Sequence, residues 1–209
     1  MTKKRLSLLA VGALGSTIAG LVAFWPSPVP VSQAPIIKET PLAERAVVQA
    51  VTNDSLTHPP LRQTFSSGAY QLVVSAEDQW ETPLAISELY EGATLLWQKD
   101  LPHQYGPRFA LVSDQGQVLL LDEFINVASP HALTLIDTEG EVVAQHSFED
   151  IKKALDVTPS ALTQQATSGW WISAPPTVTA KGDLALVKAG GTTLEIDLTT
   201  GQLSRRADL

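Results

Sequence analysis

The residues best suited to chemistry lie together in the decapeptide Asp122–His131. This segment holds carboxylates, an amide, a hydroxyl and an imidazole between two predicted strands. Carboxylate oxygens and an imidazole can bind a hard divalent ion or transfer protons, so Asp122, Glu123 and His131 form a candidate site, with Asn126 as a further binding residue. The competing interpretation is structural. In that case the carboxylates solvate a strand end, Asn126 helps to shape a turn and His131 forms a local hydrogen bond.

Trp170 and Trp171 form a second candidate binding site within a predicted strand, Trp170–Ser173. Adjacent residues of a strand point to opposite faces, so the two indoles cannot enter the same core. One of them can therefore be an exposed platform for a sugar ring or an apolar partner. Alternatively, a neighbouring helical segment covers both rings.

His103, Tyr105 and Arg108 surround the dipeptide Gly106-Pro107. These side chains form either a polar pocket or a turn with a solvated arginine. The chain has four histidines, widely scattered, and it lacks the usual hydrolase, zinc-protease and nucleotide-binding motifs. We therefore predict no metal and no cofactor, and catalysis stays an open alternative. The absence of cysteine also excludes disulfides and thiolate metal sites.

The segment Pro107–Ser147 positions the first candidate site and has the pattern of four short strands. Apolar runs alternate there with turns that contain aspartate and glycine, which is the pattern of β-hairpins. Val118–Leu121 is apolar throughout, which indicates burial on both faces. Leu133–Leu135 alternates, which indicates one solvated face. The four predicted strands are Phe109–Val112, Gln117–Leu121, Ala132–Ile136 and Val142–Gln145.

The flanking sequence adds further strands and one helical insertion. Residues 148–168 form the predicted insertion of two short helices, because Ser147 has capping-box spacing to Asp150 and Pro159 follows a capping threonine. Gly169 is predicted to end the second helix. Upstream, the predicted strands are Tyr70–Ala76, Ala85–Leu89 and Ala93–Gln98.

The segment Val178–Leu203 repeats the pattern of Val112–Val142, with a shorter connection between its middle strands. The pattern of strand, glycine turn, strand, L-x-[LI] and second glycine turn resembles a β-propeller blade of the quinoprotein or NHL-repeat type. The resemblance implies antiparallel, blade-like sheets. Because a propeller needs at least four blades of about 40 residues, we expect a partial propeller, an open stacked sheet or a sandwich.

The N-terminus predicts export. Lys3, Lys4 and Arg5 precede the uncharged apolar run Leu6–Trp25, which is typical of a signal peptide or a membrane anchor. We therefore predict residues 1–25 as a signal or hydrophobic anchor helix, residues 26–60 as a proline-rich spacer with a short helix, and residues 61–209 as a β-rich domain. The positive-inside rule places that domain outside the cytoplasm, membrane-anchored or, after cleavage, secreted.

The charge balance argues against one class of partner. Three of the 14 basic residues, Lys3, Lys4 and Arg5, lie at the very start of the chain, so the rest of the chain carries about −11 against −8 for the whole. An acidic body repels phosphate backbones, which disfavours nucleic-acid binding. Three function hypotheses remain: a non-catalytic envelope domain that binds a protein or glycan partner, a subunit of a larger envelope assembly, and a hydrolase or other enzyme that uses the Asp122–His131 loop.

Overall fold

The computed structural model describes residues 59–206. These residues form a mainly β fold of three antiparallel four-stranded sheets and two short helices. The hydrophobic N-terminal helix and the short helix of the spacer, both predicted from the sequence, lie outside the described residues. Within residues 59–206, neither helix has the length and apolar composition needed to cross a bilayer.

Sheet A is a meander in which each strand pairs with the next one along the chain. Its first strand was not predicted, because the sequence of that strand contains Phe65 as its single large apolar residue and therefore no apolar run. Gly92 makes the predicted turn between the last two strands, with a left-handed φ of 59°. The strands are β1 (Arg62–Ser67), β2 (Tyr70–Ser75), β3 (Leu84–Glu91) and β4 (Thr94–Gln104).

Sheets B and C repeat this connectivity, since each strand again pairs with its neighbour in sequence. The strands of sheet B are β5 (Pro107–Val112), β6 (Val118–Glu123), β7 (Leu133–Ile136) and β8 (Val142–His146). The strands of sheet C are β9 (Thr177–Val178), β10 (Leu184–Ala189), β11 (Thr192–Asp197) and β12 (Leu203–Arg205).

Strands β5, β6 and β7 of sheet B are buried on both faces. Val118 and Leu120 belong to a core shared with sheet A, whereas Leu119 and Leu121 belong to a core shared with sheet C and the helices. All four side chains have no solvent exposure, which confirms the burial predicted for Val118–Leu121. Burying one such leucine stabilises the fold by roughly 1.5–3 kcal/mol relative to leaving it exposed.

The predicted solvated face of Leu133–Leu135 is wrong. Thr134, which should lie on that face, is 1% exposed. The alternating pattern correctly describes polar and apolar sides of one strand. It does not reveal that sheet A packs over the polar side, because that packing depends on residues far away in the chain.

The two helices lie between β8 and β9 as α1 (Phe148–Leu155) and α2 (Pro159–Gln165). Ser147 and Asp150 form the predicted reciprocal capping box at the start of α1. Helix α1 buries Phe148, Ile151 and Leu155 in the core between sheets B and C. Helix α2 ends at Gln165, earlier than the end that was predicted at Gly169.

Candidate functional site

Six polar residues converge where β4, β5 and β6 meet the loop that follows β6. In sheet B, Pro107 pairs with Glu123, so the start of β5 lies beside the end of β6. Five of the six side chains are buried, and that of His131 is half-buried. We call this set the buried polar cluster. Its members are His103, Arg108, Asp122, Glu123, Ser129 and His131.

Asp122 lies at the centre of the buried polar cluster and is fully inaccessible to solvent. Its backbone has a left-handed φ of 59°, a conformation that aspartate tolerates better than most residues. Its Oδ1 accepts a hydrogen bond from the Glu123 amide at 3.0 Å, and its Oδ2 accepts one from the Trp170 amide at 2.6 Å. The carboxyl therefore joins β6 to the segment that follows α2.

Gly169 leaves room for this contact. A Cβ atom at Gly169 would lie 2.3 Å from Oδ2 of Asp122. The glycine also has φ of 96°, which side-chain-bearing residues rarely adopt. The residue predicted to end a helix therefore has another role, which is to bring the backbone up to the buried carboxyl.

Burial raises the pKa of Asp122 to about 7, because a carboxylate loses its hydration inside the protein. The two amide hydrogen bonds and the charge of Arg108 oppose this shift but do not cancel it. Asp122 therefore loses its proton far less readily than an exposed aspartate does. The alternative in which it solvates a strand end is wrong, since β6 continues through Glu123 and both carboxyls are buried.

Arg108 is also buried, at 5% exposed, which contradicts the interpretation as a solvated turn residue. Its guanidinium donates hydrogen bonds to the carbonyl oxygen of Phe124 and, at 3.2 Å, to Oδ1 of Asn126. The guanidinium carbon also lies 4.6 Å from the centre of the Phe124 ring, a cation–π arrangement. Arg108 thus holds the loop after β6 against sheet B.

Glu123 fixes the other end of the same loop. Its Oε1 accepts a hydrogen bond from the Ser129 hydroxyl at 2.7 Å, and its Oε2 accepts one from the Gln104 amide. The Ser129 Oγ in turn accepts a bond from the His131 amide at 2.8 Å. Burial raises the pKa of Glu123, while these hydrogen bonds oppose that change.

His103 and His131 complete the cluster, with ring centres 5.9 Å apart. His103 is fully buried, and its ring nitrogens have no hydrogen-bond partner among the described residues. Burial lowers the pKa of His103 to about 3, with a smaller contribution from His131. His103 is therefore neutral at physiological pH. Its position in the buried polar cluster cannot be read from the sequence, because β4 and the loop after β6 are distant in the chain.

Trp170 and Trp171 do not lie in a strand, so the predicted strand Trp170–Ser173 is wrong. The segment bends, which allows both rings to approach the same core between sheets B and C. Trp171 is fully buried and offers no stacking surface. Trp170 is half-buried, and its backbone amide donates a hydrogen bond to Asp122 of the buried polar cluster.

The geometry brings five of the predicted site residues together: Asp122, Glu123, His131, Asn126 through Arg108, and Trp170 through its backbone amide. Ser129 and Gly169 also belong to this site, although neither was predicted as a site residue. His103 and Arg108, which were predicted to lie at a separate turn, join it as well. Within residues 59–206, no three histidine, aspartate or glutamate side chains are grouped so that they could hold a metal ion.

The cluster is packed rather than open. The Asp122 and Glu123 carboxyl oxygens each accept a protein hydrogen bond, which leaves them poorly placed to receive a substrate. A groove of about 560 Å³ lies elsewhere, along α1, where charged residues such as Glu149 and Lys153 line it. The arrangement is suited to holding three chain segments together.

Comparison with known proteins gives no relative: no family model, no curated protein and no solved structure matches this chain.

Proposed function

We propose that this protein is an exported, membrane-tethered, non-catalytic β domain that binds a protein partner in the cell envelope. The first support is the burial of the side chains that could take part in catalysis. Asp122 and His103 have no solvent exposure, and the Asp122 carboxyl is occupied by backbone amides. An enzyme needs such groups to face a substrate in a concave site, so their burial favours a structural role for them.

The observation that carries the proposal is the free edge of sheet B. Strand β8 is the last strand of its sheet and pairs with β7 alone. Val142 is 50% exposed and Val143 is 39% exposed. Outside the strand ladders, no backbone hydrogen bond of the described residues reaches Val142–His146. Unpaired backbone groups beside exposed valines are a template for a further strand.

Other sheet edges carry the features that prevent strand addition. Strand β4 has Lys99, Asp100 and Pro102 along its length. Strand β12 has three residues and ends in arginine. Proteins protect exposed edges in this way against unwanted pairing. The uncharged, proline-free sequence of β8 is therefore consistent with an edge kept open for a partner.

The size of this edge favours an extended segment of another protein over a second copy of this chain. Five residues of strand span about 17 Å. A stable dimer interface buries at least about 1,200 Å², which β8 pairing with its own copy would not supply alone. A partner strand gains affinity from main-chain hydrogen bonds and specificity from alternate side chains that contact the valines. Since Trp171 is buried, a protein partner is also favoured over a glycan.

The proposed location rests on Lys3, Lys4 and Arg5 followed by Leu6–Trp25, an arrangement typical of a signal or anchor. We also propose that the three sheets are blade-like units in an open stack, because each is a four-stranded meander and sheet B packs between the other two. The same free edge suits a subunit of a larger envelope assembly.

Site-specific crosslinking tests the proposal. A photoreactive amino acid at Val143 of the full-length protein, in native membranes, should give one discrete crosslinked protein. The same probe at Lys188, an exposed strand residue of sheet C, should not. Val142→Lys should abolish the crosslink, whereas Leu95→Lys, at an exposed apolar residue of β4, should leave it intact.

The outcomes of this experiment distinguish a reversible binding domain from an assembly subunit and from an enzyme. A crosslinked partner that co-purifies in constant stoichiometry indicates an assembly subunit, and a partner lost on dilution indicates reversible binding. A crosslink to a second copy of the chain, or equal crosslinking from both positions, would contradict the proposed surface. An enzymatic activity lost in Asp122→Asn with unchanged folding would contradict the non-catalytic function.

A further inference from the structure

We propose that Asp122 and Trp170 form a pH-sensitive latch that tightens the segment between α2 and β9 when the carboxyl loses its proton. The latch does not depend on the proposed partner binding. It concerns a conformational property of the domain itself. The latch consists of one buried side chain and one backbone amide.

The geometry makes this contact a connection between distant parts of the chain. Oδ2 of Asp122, at the end of β6, accepts a hydrogen bond from the Trp170 amide at 2.6 Å. The segment around Trp170 is irregular, and Thr167 and Ser168 both donate their amides to the Ile172 carbonyl oxygen. Through Trp171 and Ile172 the segment reaches the core between sheets B and C.

The protonation state of Asp122 changes the strength of that connection. A carboxylate accepts from two amides through charge-assisted hydrogen bonds, which are shorter and stronger than neutral ones. A protonated carboxyl keeps one full acceptor oxygen and uses the other as a donor. Burial raises the pKa of Asp122 to about 7, which puts the change within the physiological range, whereas the Trp170 hydrogen bond acts in the opposite direction and lowers this pKa. By linkage, ionisation therefore strengthens the Trp170 bond while the carboxyl stays buried, although ionisation of the buried group lowers the stability of the whole fold.

The charged and titratable groups around Asp122 come from each element packed against it. Arg108 on β5 favours the ionised form, and Glu123 on β6 disfavours it. Beyond Glu123 lie His131 in the loop and His103 on β4. The segment from Ala166 to Trp170 contributes amides, hydroxyls and an indole but no charge.

The backbone strain at the Asp122–Trp170 contact indicates that the surrounding structure enforces this contact. Asp122 has a left-handed φ, and Gly169 excludes a side chain that would lie 2.3 Å from the carboxyl oxygen. Backbone strain of this kind persists where the surrounding structure enforces it. Two special backbone conformations therefore meet at one titratable group.

Amide NMR on the full-length protein tests the latch directly. Between pH 5.5 and 8.5 the Trp170 and Glu123 amide resonances should move together, with one midpoint near 7. Hydrogen-exchange protection of the Thr167 and Ser168 amides, corrected for intrinsic exchange, should rise about five- to tenfold above the midpoint, as expected for a hydrogen bond to a charged acceptor.

Asp122→Asn provides the matched variant, because asparagine tolerates the left-handed backbone and accepts hydrogen bonds without titrating. It should remove the shared midpoint, while Glu81→Gln, an exposed control, should retain it. A Trp170 amide that does not titrate in the wild-type protein would overturn the latch even if the variant fails to fold. So would a titration that survives in Asp122→Asn, or protection that does not change with pH.

Discussion

Replacing Asp122 and His103 one at a time should tilt the pH dependence of stability in opposite directions. Both side chains are fully buried. Burial raises the pKa of Asp122 from 3.8 to about 7 and lowers the pKa of His103 from 6.5 to about 3. Each pKa unit corresponds to about 1.4 kcal/mol of difference between the two protonation states.

Asp122 and His103 change the stability of the fold in opposite directions as the pH rises. Folded protein keeps a proton on Asp122 that the unfolded chain has lost, so this contribution is complete below pH 3.8 and is lost as the pH rises through about 7. Unfolded chain protonates His103 while folded protein does not, so that contribution is complete above pH 6.5 and is lost as the pH falls through about 3. Between pH 3.8 and 6.5 the contributions therefore compensate each other.

Single substitutions should reveal how each group alone changes the unfolding free energy with pH. Relative to wild type, the unfolding free energy of Asp122→Asn should increase from pH 3.8 to 6.5 by roughly 3–4 kcal/mol, because the opposing carboxyl is gone. His103→Leu should decrease by a similar amount over the same interval. The slope, rather than the absolute stability, is the test, since either substitution also changes packing.

Guanidinium unfolding of the full-length protein, followed by tryptophan fluorescence at half-unit pH steps, measures these slopes. Asp183→Asn, at an exposed aspartate, should follow the wild-type profile. Two variants that tilt in the same direction, or that both keep the wild-type slope, would refute the reasoning that burial holds these two groups neutral.

Three further predictions concern packing and can be measured by the same unfolding assay at pH 7. Gly201→Ala should destabilise the protein by about 2 kcal/mol more than Gly182→Ala: both glycines have left-handed φ, but a Cβ at Gly201 would lie 2.1 Å from Ala144 whereas one at Gly182 meets nothing within 4 Å. Equal losses would contradict the close approach of sheet C to β8. Leu120→Ala, in the core between sheets A and B, should cost about 2–5 kcal/mol, and Leu95→Ala, 45% exposed, less than about 0.5 kcal/mol. Ser147→Ala should cost about 1 kcal/mol through loss of the capping box, with the α1 amides exchanging faster, and unchanged exchange there would show that packing alone holds the helix.

Local sequence patterns predicted most of the strands, because apolar runs and aspartate–glycine turns act over a few residues. Asp137 illustrates this, since its Oδ1 accepts hydrogen bonds from the amides of Glu139 and Glu141. Asp114 lies in the equivalent turn between β5 and β6, but its carboxylate instead accepts a hydrogen bond from the hydroxyl of Ser67 in sheet A. In that turn the Ser113 hydroxyl accepts the amide bonds.

The candidate site was predicted in part. Asp122, Glu123 and His131 lie near one another because a short loop joins them, and their spacing in the sequence is enough to indicate this. Their burial was not predicted, and neither was the burial of Arg108. Whether a charged residue at a strand end faces water depends on which other segments pack there, and that information lies in long-range contacts rather than in the residue's neighbours.

The burial of β5, β6 and β7 on both faces has a consequence for how the chain unfolds. Each sheet is a local meander, which favours rapid formation of its own hairpins. Yet β6 buries its apolar side chains against sheet A on one side and against sheet C with the helices on the other. Loss of either neighbour would expose a complete apolar face of the middle sheet. Unfolding of one outer sheet alone therefore costs free energy, because it exposes apolar side chains of the middle sheet to water. We expect the three sheets to unfold as one cooperative unit, with the β6 amides the last to exchange.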